Sequence, residues 1–308
     1  LKFLTYKYKI FGPRAGMLTS DGSQIVDLSV LLDAKATIPD IGELLRRYED
    51  PKNVVERALA EMDSRKDCII PAEDVQLCAP VLHPSTIRDG SIFERHVVNA
   101  GKHNGVGTPA NWYKWPTFYF QNTNTVLGPE AVVKRRTGSA TLDYEAEIAL
   151  VIGKGGRSIQ GDRALDHIFG LTIYNDWSDR ERCTAEVGFI GLHKGKDFAN
   201  AFGPYIVTMD EVMDHYQEGR LTLKVDAWVN DVHTTDSLTD DAYWTIPQLV
   251  EYISLDADIV PGDIIGLGTV GTGCIYERPD QFPYLQDGDL VTITVEKLGT
   301  LRGYVSKE

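Results

Sequence analysis

Leu142-Asp143-Tyr144-Glu145-Ala146-Glu147-Ile148-Ala149-Leu150-Val151-Ile152 alternates with the period of a β-strand. Leu142, Tyr144, Ala146, Ile148 and Leu150 form one apolar face. The other face opens with Asp143, Glu145 and Glu147 and turns apolar at Ala149 and Val151. Glu145 and Glu147 therefore point the same way, with Cβ atoms about 7 Å apart. Two glutamates leading into an apolar stretch repel each other unless they are solvated or bridged by a cation. A solvated strand end is the plain reading of this pair; a bridging cation is the sharper one.

Further strands flank this one. Ile168–Tyr174 is apolar and ends in Asn175-Asp176, either an Asx turn or a carboxylate presented at a strand end. Tyr205–Thr208, Leu221–Val229, Ile264–Leu267 and Leu290–Val295 add strand candidates, and Asn230-Asp231 makes a turn into Val232–Thr235. Helices are few, Ile246–Ser254 being one, which disfavours a doubly wound parallel sheet. The pattern predicts a β-rich α+β fold, a mixed β-sandwich roll or barrel over residues 73–308, preceded by a small N-terminal α/β domain at residues 1–72. In that first unit Lys2–Lys9 alternates as a strand, and Arg14–Leu18 and Gln24–Leu28 flank a hairpin at Ser20-Asp21-Gly22-Ser23. Ile41, Leu44, Leu45 and Tyr48 share one helical face; Val54, Val55, Ala58, Leu59 and Met62 share another, with Pro51 between.

The chain has 308 residues, with 31 Lys+Arg against 45 Asp+Glu and a net charge of −14. This surface repels phosphate backbones, which argues against a nucleic-acid partner. A small anionic substrate is still compatible, because a bound cation reverses the field locally. No apolar run reaches the 18 or so residues of a membrane span, and the start reads as a strand and not as a signal peptide. Cys68, Cys78, Cys183 and Cys274 lack metal-knuckle spacing, which argues against a disulfide framework or zinc knuckle and fits reduced thiols in a cytoplasmic protein.

A third acidic element is Arg88-Asp89-Gly90-Ser91-Ile92-Phe93-Glu94-Arg95-His96. On a helix, residues seven apart share a face, so a helical reading brings Asp89 and His96 to one site. The alternative makes Asp89 an N-cap and His96 a packed helical histidine.

Taken together the chain resembles the fumarylacetoacetate hydrolase family over roughly residues 80–305. The resemblance is carried by Arg88-Asp89 with Phe93-Glu94-Arg95-His96, by Leu142–Glu147, by Tyr174-Asn175-Asp176-Trp177-Ser178-Asp179-Arg180, by Lys194-Gly195-Lys196-Asp197-Phe198 with Gly203-Pro204, by Gly268-Thr269, and by Asp287-Gly288-Asp289 with Gly299-Thr300-Leu301-Arg302. It implies that Asp89, Glu145, Glu147 and Asp176 bind a divalent cation. All-carboxylate ligation suits Mg²⁺, Mn²⁺ or Ca²⁺ over zinc. His96 matches the family's general base and Lys196 its charge-stabilising lysine. Tyr119, Arg180 and Thr269 resemble pocket residues, with a strand aromatic, a surface ion pair and a turn hydroxyl as their respective alternatives. Glu94, Glu186 and Glu277 are candidates to orient His96, and Glu94 is taken with the catalytic set. Cys183, Val187 and Gly105 depart from the fumarylacetoacetase pattern, so fumarylacetoacetate itself is not the implied substrate.

The resemblance implies a metal-dependent hydrolase that cleaves a C–C bond in a β-diketo acid or acylpyruvate, with His96 activating water and Lys196 holding the enolate. The alternative is a tautomerase, decarboxylase or dehydratase of a 2-oxo acid. His96 at hydrolase-like spacing favours hydrolysis. A metal-bound module without turnover is disfavoured by the presence of both His96 and Lys196. Family analogy implies a homodimer.

Overall fold

Ala146–Ile152 lies inside the largest sheet, with strands on both sides and apolar cores on both faces. The computed structural model describes residues 1–61, 66–105 and 107–307; Met62, expected on a helical face, falls outside them. Ala146, Ile148, Leu150 and Ile152 face the larger core, and Ala149 and Val151 face a second core with Phe3, Ile41, Leu44, Tyr174 and Phe202. The strand is thus buried on both sides. The turn to apolar residues at Ala149 and Val151, read from the sequence, is explained by the N-terminal unit, which covers that face.

The main path of this sheet runs Ile69–Pro71, Gln24–Asp27, Arg14–Leu18, Lys2–Tyr8, Asn200–Thr208, Ile168–Asp176, Ala146–Ile152, Ile264–Thr269, Ile87–Gly90, Phe118–Gln121. Lys2 and Phe3 pair antiparallel with Val207 and Ile206, so one sheet runs through the expected boundary at residue 72. Most neighbours are antiparallel, but Ile87–Gly90 runs parallel to Ile264–Thr269. A second sheet orders Val232–Leu238, Lys224–Val229, Leu290–Val295, Gly299–Lys307 and Ala131–Arg135. The fold is strand-rich α+β, and among the described residues neither sheet closes into the barrel that was one expected form.

Local chemistry explains the elements that frame the site. Ile246–Ser254 starts at a capping box in which Thr245 Oγ1 accepts from Gln248 N and Gln248 Oε1 accepts from Thr245 N. It buries Ile246, Leu249, Val250 and Ile253, the i, i+3, i+4, i+7 face. Each such side chain contributes about 1.5–3 kcal/mol, and Leu249→Ala would cost about 2–5 kcal/mol. In the N-terminal unit, the strand expected to reach Leu28 stops at Asp27, whose side chain accepts from Val30 N and caps Leu28–Leu31. No helix among the described residues is long and apolar enough to cross a membrane.

Two sequence expectations near the site are corrected. Leu142–Ile152 is not one continuous strand: Leu142–Asp143 pairs with Ser178–Asp179, and the central strand begins at Ala146. Between them the backbone finds side-chain acceptors, Asp143 Oδ1 for Tyr144 N and Asn175 Oδ1 for Glu145 N. Asp89 and His96 do not share a helix. Asp89 is on the strand Ile87–Gly90, and the helix starts at Glu94 and runs to Asn104. The two residues meet across a strand-to-helix connection instead.

Candidate active site

Strand register builds the site. Asp89 pairs with Tyr119 on one side and Gly266 on the other; Glu147 pairs with Tyr174 and Thr269. Asp176 closes the strand Ile168–Asp176. These registers bring the carboxylates to one end of the sheet, at a cavity of about 290 Å³. Gly266 makes room there, since a Cβ on it would lie 2.1 Å from Asp89 Oδ1. Asp89, Tyr119, Glu145, Glu147, Arg180, Lys196, Thr269 and His96 all line the cavity.

Asp89, Glu147 and Asp176 each offer an oxygen within 4.8 Å of the others. All three side chains are buried. Asp89 Oδ1 and Glu147 Oε2 have no hydrogen-bond partner among the described residues. Thr269 Oγ1 donates to Glu147 Oε1 at 3.0 Å, and Gln121 Nε2 donates to Asp176 Oδ1 at 2.7 Å. The Tyr119 hydroxyl lies 2.7 Å from both Asp89 Oδ2 and Asp176 Oδ2, and its single hydrogen serves only one of them at a time. Burial, then the charge of Asp176, pushes the Asp89 carboxyl well above the usual carboxylate range. Burial, then Asp89, Glu145 and Asp176, does the same to Glu147. Asp176 is also raised by burial, against the pull of Lys196. This is a cluster with excess negative charge and unpartnered buried oxygens. A hard divalent cation fits it, because every donor is oxygen.

Glu145 is different from the other three acids. Arg180 donates to its Oε1 at 2.7 Å and Lys196 to its Oε2. Burial alone would raise this carboxyl, but the two cations outweigh it and hold Glu145 below the ordinary range. Lys196 closes the short helix His193–Lys196, is buried, and also donates to Asp176 Oδ2 at 2.6 Å. Burial disfavours its ammonium, yet Asp176 and Glu145 raise its pKa, so it stays charged. Arg180 is buried and donates to Asp143 Oδ2 at 2.9 Å as well. That excludes the surface ion pair considered for it. Thr269 sits in a strand, not a turn.

His96 faces the cavity from the Glu94–Asn104 helix, and its Nδ1 is 2.9 Å from Glu277 Oε1. A carboxylate only accepts, so Nδ1 carries the hydrogen and Nε2 is left as an acceptor. Asn99 Nδ2 and Thr272 N, each at 2.8 Å, fix Glu277 Oε2. The expected partner Glu94 is elsewhere: it accepts from Tyr113 Oη at 2.7 Å and lines a separate surface hollow. One helical step explains this. Glu94 and His96 are two residues apart, about 200° around the helix, so they cannot share a face. Sequence spacing gave no way to rank Glu277, which lies 181 residues from His96. Gln121, which orients Asp176, carried no signal in the sequence.

The Fumarylacetoacetate (FAA) hydrolase C-terminal family matches residues 85–306. Oxaloacetate tautomerase YisK of Bacillus subtilis is 31% identical over 236 residues, 75% of this chain and 73% of its own length. Human mitochondrial oxaloacetate tautomerase FAHD2B is 28% identical over 295 residues, covering 95% of this chain and 87% of its own. An uncharacterised protein of Staphylococcus epidermidis is 38% identical over 190 residues, 60% of this chain and 59% of its own length. Among solved structures, maleylpyruvate hydrolase from Sphingobium sp. SYK-6, in complex with manganese (II) ion and pyruvate, superposes with TM-score 0.73 at 25% identity, covering 100% of this chain and 99% of that one. The match to the family spans most of the chain and includes every residue of the cavity named above: the chain belongs to the fumarylacetoacetate hydrolase C-terminal family.

Proposed function

We propose that this chain is a divalent-metal-dependent enzyme that moves a proton at the carbon next to the carbonyl of a 2-oxo acid, a keto–enol tautomerase of the oxaloacetate type. The observation that carries the reading is His96, tethered through Nδ1 to Glu277 and facing a cavity that also holds Lys196 and three converging acids. Asp89, Glu147 and Asp176 would hold Mg²⁺ or Mn²⁺ (or Ca²⁺), with Glu145 tied to Lys196 and Arg180 beside them. Such a cation supplies Lewis-acid polarisation of substrate oxygens.

The chain's own groups supply the rest. His96 Nε2 takes the proton from carbon, and Glu277 steadies the imidazolium that results. The C–H electron pair becomes the C=C bond and the carbonyl oxygen gains negative charge. The Lys196 ammonium, which lines the same cavity, would offset that charge. Tyr119 and Thr269 hold the acids in place through their hydroxyls. The imidazolium then gives that proton to the enolate oxygen, which completes the enol; in ketonisation His96 Nε2 takes the enol hydroxyl proton and returns it to carbon.

Hydrolytic C–C cleavage, which the spacing of His96 favoured from sequence, is the second reading. The likeness to maleylpyruvate hydrolase supports it, and the same base would deprotonate water. The two are separated by following the enol absorbance of oxaloacetate and the release of pyruvate from acylpyruvates, each with Mg²⁺. Tautomerisation predicts faster loss of enol and no acylpyruvate cleavage. Efficient pyruvate release would make hydrolysis the activity. His96→Asn should lower either rate by about 10²-fold or more; a wild-type rate in that variant would overturn the role of His96.

A further inference from the structure

Cys274 is buried, and its Sγ lies 3.5 Å from Glu277 Oε1 and 4.0 Å from His96 Nδ1. With the 2.9 Å His96–Glu277 contact this makes a triangle of one sulfur, one nitrogen and one oxygen donor. A point about 2 Å from all three corners exists, within reach of the 2.0–2.3 Å bonds that zinc makes to such atoms. The donors are also fixed. Asn99 Nδ2 and Thr272 N occupy Glu277 Oε2 and leave Oε1 turned to the triangle. Asp143 accepts from Ile275 N and Tyr276 N, which anchors the loop carrying Cys274 and Glu277. The donor set has the opposite character to the all-oxygen trio of Asp89, Glu147 and Asp176: it suits a borderline metal and not Mg²⁺.

We propose that His96, Cys274 and Glu277 form a second metal site, selective for Zn²⁺-class ions, whose occupation switches the enzyme off. Binding forms bonds from the metal to Cys274 Sγ, His96 Nδ1 and Glu277 Oε1, with water in the remaining position. The Cys274 thiol proton goes to buffer. The hydrogen on His96 Nδ1 is displaced and the neutral ring carries its hydrogen on Nε2 instead. Nε2 then has no lone pair to accept a proton, and Glu277 no longer backs the ring. The inhibitory consequence rests on the proposed role of His96 as the base; the site itself does not.

The test titrates Co²⁺ into the full chain held in saturating Mg²⁺. A thiolate–cobalt charge-transfer absorption in the near ultraviolet should grow to one equivalent and disappear when Zn²⁺ is added. Cys274→Ser and Cys274→Ala should abolish it. Cys183→Ser should keep it, although Cys183 lines the main cavity. No absorption in wild type, or absorption that survives both Cys274 variants, overturns the site. In turnover assays, Zn²⁺ should inhibit the Mg²⁺-loaded wild type, and Cys274→Ser should need at least about tenfold more Zn²⁺. Cobalt absorption as expected without zinc inhibition leaves the site standing and refutes His96 as the base.

Discussion

Lys196→Met keeps side-chain length and deletes one buried charge. Lys196 Nζ donates to Glu145 and, at 2.6 Å, to Asp176, with only 3% of the residue exposed. Removing one partner of a buried ion pair costs about 3–5 kcal/mol. In a chain of this length each kcal/mol moves Tm by no more than about 2–4 °C. The metal-free variant should therefore melt up to about 20 °C lower. The same deletion leaves the carboxylates with less compensating charge, so Mg²⁺ should raise Tm by more in Lys196→Met than in wild type. On turnover, an ammonium directed at charge that develops in the transition state is worth about 10²–10³ in kcat, with a modest change in KM. Steady-state kinetics at saturating Mg²⁺, with melting curves taken with and without the metal, measure both effects. A raised KM with unchanged kcat would show that Lys196 anchors substrate. An equal Mg²⁺ shift in both proteins would refute the charge balance drawn for the site.

Glu147→Gln removes a buried carboxyl whose Oε2 has no partner among the described residues; calorimetry should find Mg²⁺ binding lost while the metal-free Tm rises. Glu277→Gln should lower kcat at least about tenfold, and Glu94→Gln should leave it within about twofold, because Glu277 is hydrogen-bonded to His96 and Glu94 to Tyr113; the reverse order would restore Glu94 as the partner. Asp27 lies far from this chemistry and reports on the N-terminal unit. Burial would raise its carboxyl, but Arg14, Tyr6 and the Val30 N–H outweigh that and hold it below the ordinary value. A depressed folded pKa contributes stability above the unfolded value of about 3.9 and loses it as pH falls through the folded one. Asp27→Asn should thus be less stable at neutral pH and show a shallower fall in Tm between about pH 4 and 2 than wild type.

Short-range patterns carried most of what the sequence revealed. The alternation from Ala146 to Ile152, the Asn230 turn with φ 55°, and the capped helix Ile246–Ser254 are all local, and all are present. The break at Tyr144–Glu145 was hidden, because it depends on Asn175 reaching the Glu145 N–H from the neighbouring strand. Asp89 was assigned the wrong element for a related reason. Its seven-residue spacing to His96 mimics two helical turns, whereas Asp89 is held in a strand by parallel pairing with Gly266, 177 positions away, and a strand-to-helix connection carries the chain on to His96. The seam between the N-terminal strand and Asn200–Thr208 is likewise a pairing between remote segments, and no composition shift announces it.

The candidate site divides along the same line. Its acids were named through the family resemblance; taken alone, Glu145 and Glu147 also read as a solvated strand end and Asp176 as an Asx turn. What the sequence did not show is how Tyr119, Thr269, Arg180 and Lys196, which the resemblance also named, and Gln121, which it did not, divide those acids among themselves. Thr269 and Tyr119 take one oxygen each from Glu147 and Asp89 and leave Glu147 Oε2 and Asp89 Oδ1 free among the described residues, while Asp176 is held on Oδ1 by Gln121 and on Oδ2 by Lys196 and Tyr119. Arg180 and Lys196 withdraw Glu145 from that set by neutralising both of its oxygens. Four acids that look equivalent in sequence are thereby split into three with raised carboxyls and one with a lowered carboxyl. The difference lies in their neighbours across the sheet, not in the acids themselves. A substitution at Arg180 should therefore alter the metal site through Glu145 without removing any of the three converging oxygens.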